Sequence, residues 1–88
     1  KVVEKEVFVT REEKATLNTS LIAELELSKR ELEILGLMAQ GYSNEEIGAK
    51  IFVSLSTVKS HIQNLFVKLD VKRRTQAVEK AKRLHIIL

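Results

Sequence analysis

Leu55, Val58, Ile62, Leu65 and Leu69 recur at steps of three and four, so a helix over these residues carries one apolar stripe. The opposite face carries Ser56, Thr57, Ser60, Gln63 and Asn64, short hydroxyl or amide side chains able to donate and accept hydrogen bonds. Upstream, Ser28 precedes an apolar periodic run and Glu31 follows it by three residues, the spacing of a capping box, while Gly41 stands where a helix ends. The pattern predicts a helix from Ser28 to Gln40, a second over about Asn44–Ile51, a third over about Leu55–Leu69, and a turn at Asp70 to Lys72. A fourth follows over about Arg73–Leu84, with Ala77, Val78, Ala81 and Leu84 on one face. Residues 1–10 mix Val2, Val3, Val7, Phe8 and Val9 with charges, as a short strand or an unpartnered arm would. Residues 11–26 suit a linker of partial helix that tethers an upstream domain. The architecture read from this pattern is all-α: a four-helix bundle over residues 27–88 behind an N-terminal linker arm, residues 1–26.

The two middle helices meet at a tight corner. Ser43 stands three residues before Glu46, a second capping-box spacing, and either Ser54 or Ser56 can cap the helix that follows. Two short helices joined in this way, the second with a buried stripe and a polar outer face, suit insertion into the major groove of DNA. The helix-turn-helix covers residues 42–61. Ser43, Asn44, Ser54, Ser56 and Thr57 lie at helix starts, where capping and phosphate binding are compatible because exposed amides attract anions. Lys59 borders the apolar stripe, so snorkelling over the core and contact with DNA are both open to it. Gln63 has the two-sided amide that pairs with adenine.

The motif, extended to Leu27-Ser-Lys-Arg-Glu31 before it and Lys68-Leu-Asp-Val-Lys-Arg-Arg-Thr-Gln-Ala77 after it, resembles the LuxR-type (GerE- or NarL-type) helix-turn-helix DNA-binding domain. Glu31, Gly41, Ser43, Glu46, Ile47, Thr57, Val58, Lys59, His61, Lys68, Leu69, Val71, Arg74 and Ala77 carry the resemblance, which covers about residues 27–88. Two positions depart from the family pattern. Gly48 replaces the usual alanine, at a propensity cost of about 1 kcal/mol. Asp70 replaces the usual glycine and tolerates the left-handed conformation better than most residues.

The resemblance implies the C-terminal DNA-binding domain of a bacterial transcription regulator. Lys59, Ser60 and Gln63 would face bases, and Asn64, Lys68 and Arg74 join the DNA-contacting set with the helix-start residues. It also implies pairing as a homodimer on DNA through the fourth helix, for which Ala77, Ala81 and Leu84 are the candidates, and RNA polymerase as a further partner. Residence at the bacterial nucleoid in the cytoplasm follows, and no cofactor is implied. The Phe52-to-Lys59 run with Arg74-Thr-Gln-Ala-Val78 looks most like large multidomain regulators of the MalT kind, with a receiver-bearing regulator of the NarL kind close behind.

Charge supports this reading without deciding it. Residues 1–27 hold four bases and six acids, a balance of −2, whereas residues 28–88 hold eleven bases and six acids, a balance of +5. The basic excess therefore accompanies the helix-turn-helix, as phosphate binding requires, although lysine-rich helical surfaces are common. The 88 residues contain no cysteine, which excludes disulfides and cysteine-ligated zinc. No apolar run approaches the roughly 18 residues of a membrane span, and no signal-peptide pattern opens the chain. The start at Lys1 suggests a piece of a longer polypeptide. His61 has no partner at metal or triad spacing and reads as a packed or backbone-contacting residue. Glu31 reads as a capping partner with a base of the fold as a further candidate, so no catalytic or metal site is expected. The tail Ile86-Ile-Leu88 fits a core edge, a dimer contact or a cut end equally well. Two other classes remain at this point: a promoter-binding module of a sigma factor, against which Lys68–Val71 and Arg74–Ala77 argue, and a helical protein-interaction domain.

Overall fold

Ser28 opens the principal helices of the bundle with two reciprocal hydrogen bonds. Its hydroxyl accepts from the Glu31 amide at 3.0 Å, and the Glu31 carboxylate accepts from the Ser28 amide at 2.9 Å. The computed structural model describes residues 17–88, which form α1 (Thr19–Glu24), α2 (Lys29–Ala39), α3 (Asn44–Ile51), α4 (Leu55–Leu69) and α5 (Arg74–Arg83). There is no strand among the described residues. The strand or arm expected over residues 1–10, and the first part of the linker, lie outside them.

The boundaries of α2 to α5 fall within a residue of those read from the periodicity, because each carries its own start and stop chemistry. Ser43 and Glu46 form a second capping box at α3. Ser54 caps α4 by accepting from the Thr57 amide at 3.1 Å, and its hydroxyl donates to Thr57 Oγ1 at 2.9 Å. Gly41 leaves α2 at φ 96, and Asp70 ends α4 in the left-handed region at φ 57, ψ 52. At α5 the Gln76 carboxamide oxygen accepts from the amides of Lys72 and Arg73.

Ile34, Leu35, Ile47, Val58, Leu65, Leu69 and Ile86 are fully buried and form the centre of the core, with Met38 and Ile51 beside them. Helix α2 packs against α3, α4 and α5, and α4 packs against all three of the others, so the helix-turn-helix is held on both sides.

Three expectations change. Residues 17–26, expected as the end of a linker of partial helix, carry the short helix α1 and touch the bundle. Asn18 caps α1 through the Leu21 amide, its own amide donates to His85 O at 2.8 Å, and Leu21, Ile22 and Leu25 pack against the core. A short fifth helix thus precedes the four expected. Ile86 is buried, so the tail is at least in part core edge, while Leu88 is exposed. Ala77 and Ala81 are each 0 % exposed. Their small side chains let α5 approach its own bundle, which removes them as contacts for a second copy. Leu84 is half-buried against the same core.

Gly48 is a consequence of the corner rather than a loose point in α3. A Cβ there would stand 2.7 Å from Val53 O and 3.4 Å from Val58 Cγ2. The Gly48 carbonyl accepts from the amides of both Phe52 and Val53, with Phe52 in the left-handed region at φ 62, ψ 45. The glycine thus gives up helix propensity but lets the turn fold tightly back onto α3.

Candidate nucleic-acid interface

Helix α4 turns Val58, Leu65 and Leu69 into the core and leaves Ser56, Thr57, Lys59, Ser60, Gln63, Asn64 and Val67 exposed. Its outer face carries donors and acceptors with a single cation, Lys59, one exposed aliphatic side chain, Val67, and no acid. Ser60, Gln63 and Asn64 make no side-chain hydrogen bond to another described residue, so their polar atoms are free for a ligand. Ser54, Ser56 and Thr57 share a hydroxyl cluster at the start of α4, where Ser54 Oγ lies 3.1 Å from Ser56 Oγ. His61 is half-buried on the flank of the helix and belongs to no group that could hold a metal among the described residues.

Three of the predicted DNA-contacting side chains are committed elsewhere. Lys68 Nζ lies 2.8 Å and 3.1 Å from the two oxygens of Glu31 and donates to Glu26 O at 2.7 Å. It ties the last turn of α4 to the entry of α2 and is a structural strut rather than a phosphate ligand in this geometry. Burial pushes the Glu31 carboxyl up, but the Lys68 hydrogen bond, the Ser28 amide and the Lys68 charge outweigh it and hold the group below the ordinary carboxylate value. Arg74 donates to Asn44 Oδ1 at 3.1 Å and to Tyr42 O, which pins the start of α5 to the start of α3. Asn44 is consequently occupied at its oxygen. The hold on α4 has taken these groups: α4 is also capped from outside by Lys80, which donates to Leu69 O at 2.7 Å.

The basic rim that the structure does offer is Lys72 and Arg73. Both are exposed, and with Arg74 they border a depression shared with Asn44, Ile62 and Phe66, beside α4 and at the start of α3. Residue type alone did not separate them from Arg74. The signal that could have done so is the position of Arg74 as the first residue of α5, facing back toward the α2–α3 turn. The lysine of α3, Lys50, is placed over the Tyr42 ring at 4.6 Å.

Known proteins similar to this chain identify its family. Residues 25–81 match the family model described as GerE, bacterial regulatory proteins of the luxR family. The chain is 54 % identical over 61 residues to the transcriptional regulatory protein LiaR of Bacillus subtilis strain 168, covering 69 % of this chain and 29 % of LiaR. It is 47 % identical over 74 residues to the oxygen regulatory protein NreC of Staphylococcus aureus strain MRSA252, covering 84 % of this chain and 34 % of NreC. Among solved structures it matches the response regulator ChrA of a heme-sensing two-component system with a TM-score of 0.68 and 44 % identity, over 69 % of this chain and 30 % of ChrA. The chain thus spans about a third of the length of these relatives. With an all-helical bundle, a helix-turn-helix at residues 42–61 and these matches, the chain belongs to the LuxR family of bacterial regulatory proteins and carries that family's helix-turn-helix DNA-binding domain.

Proposed function

We propose that α4 enters the major groove of double-stranded DNA and reads a specific operator, with Lys59, Ser60 and Gln63 at base edges and Asn64 beside them. The observation that carries this reading is the outer face of α4, exposed, hydrogen-bonding and free of acids, opposite a fully buried stripe. The starts of α3 and α4, with the Ser43, Ser54, Ser56 and Thr57 hydroxyls beside unpaired amides, and the Lys72–Arg73 rim are placed to hold phosphates on either side. The struts from Lys68, Arg74 and Lys80 fix α4 in the bundle, which holds the reading residues in position before DNA arrives.

One such helix reads only a few base pairs, so occupancy of a two-half-site operator needs a second copy. Since Ala77 and Ala81 are buried, the surface of α5 available for pairing is Thr75, Val78, Glu79 and Lys82, which with Met38 and Arg74 line a shallow apolar groove. Control comes from a preceding domain. The match to a response regulator supports a phosphorylatable receiver there over the MalT-like arrangement. No helix among the described residues is long and apolar enough to cross a membrane.

The test is selection of bound sequences from random duplex DNA by the 88-residue chain, followed by affinity for the winner as salt is raised. A defined motif is expected, with a log–log salt slope of about −0.9 for each phosphate neutralised. No enrichment and a flat salt response would overturn the proposal and favour a protein-interaction domain.

A further inference from the structure

Val67 is a large aliphatic side chain left 77 % exposed on α4. Single exposed aliphatics are common on soluble surfaces, but this one has a particular place. It follows Ser60 by seven residues, Gln63 by four and Asn64 by three, so it lies on the same strip of the helix as those three side chains. On the helical wheel it falls opposite Val58, Leu65 and Leu69, at the middle of the outer face and as far from the core as the helix allows. From Ser56 to Val67 the strip runs about 16 Å at the rise of an α-helix, enough to follow several base pairs along the groove floor. Every other residue on it, Ser56, Ser60, Gln63 and Asn64, offers polar atoms.

The major groove presents one apolar group, the C5-methyl of thymine, and apolar side chains recognise it by contact. We infer that Val67 is a specificity-determining residue of this domain that packs against a thymine methyl at the end of the site distal to the start of α4. The inference rests on the major-groove reading above. It adds contact with the thymine methyl, which the hydrogen-bonding groups of Ser60, Gln63 and Asn64 do not make. A valine in this position also discriminates against cytosine, whose amino group would lose its water against the side chain without gaining an acceptor.

The experiment uses the operator selected by the 88-residue chain. Each thymine is replaced in turn by deoxyuridine, which keeps every hydrogen-bonding group and lacks only the methyl. Val67→Ala is measured on the same set; the substitution is safe for the fold because the side chain is exposed and alanine is the better helix former. At one thymine, deoxyuridine should weaken binding of the unmodified chain by about fourfold, the factor carried by one buried methyl group. Val67→Ala should bind the thymine and deoxyuridine forms of that position equally. An operator with no required thymine, uniform tolerance of deoxyuridine by the unmodified chain, or the same penalty in Val67→Ala would each overturn the inference while leaving α4 as the recognition helix. Absence of any sequence-selective binding would instead overturn the major-groove reading on which it rests.

Discussion

Replacing Lys68 by methionine isolates the strut that fixes the end of α4. The methionine keeps most of the aliphatic stem and removes the ammonium, so three hydrogen bonds are lost, at 2.7, 2.8 and 3.1 Å, two of them to the Glu31 carboxylate. Glu31 is then left with its side chain 4 % exposed and only the Ser28 amide as a donor. Breaking a buried ion pair from one side costs about 3–5 kcal/mol. Lys68 is 30 % exposed, so water partly screens the pair and the expected loss is nearer 2–3 kcal/mol. Against a total stability of about 4–10 kcal/mol for a domain of this size, that is a large fraction. It should lower the melting temperature by about 10–20 °C.

The pH dependence gives an independent check. The Glu31 carboxyl is held below its ordinary value in the fold, so the unfolded chain binds the proton more readily. Its contribution is therefore fully present above the unfolded pKa of about 4.3 and is lost as pH falls through the lowered folded value. Urea unfolding from neutral pH down to about pH 3 should show this acid-side loss in the unmodified chain and a smaller one in Glu31→Gln. Glu31→Gln added to Lys68→Met should recover part of the stability, because a neutral amide is cheaper to bury than an unpaired carboxylate. A loss below about 0.5 kcal/mol in Lys68→Met, at the level of an exposed ion pair, would refute the reasoning.

Two further outcomes follow from the burial pattern of α5. Ala81→Glu should leave the chain largely unfolded by circular dichroism, since a carboxylate at a fully buried position has no partner there; a folded variant would contradict the packing of α5 on its own bundle. Lys82→Glu, on the exposed side of the same helix and lining the same groove, should keep the fold and single half-site affinity while reducing cooperative occupancy of a two-half-site operator at least severalfold by gel shift; unchanged cooperativity would place the pairing surface elsewhere.

The four principal helices were legible in the sequence because their punctuation is local. Ser28 with Glu31, Ser43 with Glu46, Gly41 and Asp70 act within three or four residues of the ends they define. Helix α1 was not legible as part of the domain. It is only six residues long and depends on contacts with Leu27 and the His85–Ile86 tail, distant in sequence, for its place. The exposed face of α4 could be read from periodicity, since a stripe of apolar residues fixes which side chains point out. Periodicity could not say which polar groups the fold itself consumes. Lys68 and Arg74 look like phosphate ligands in sequence and are engaged inside the fold, by partners, Glu31, Asn44 and Tyr42, that lie thirty or more residues away. Ala77 and Ala81 show the same ambiguity. A small-residue face permits close approach, and only the folded chain reveals that the neighbour is its own core.

Gln63 provides the most direct test of the central claim, that the outer face of α4 reads bases. The chain and its Gln63→Ala variant are titrated, at one fixed salt concentration, with the selected operator and with random duplex. Gln63 is exposed and free of internal hydrogen bonds, so the variant keeps the fold. Gln63→Ala should lose about 1–3 kcal/mol on the operator and almost nothing on random duplex, because a base contact discriminates and a phosphate contact does not. Equal losses on both duplexes would assign Gln63 to the backbone, and no loss on either would take the face of α4 out of the groove.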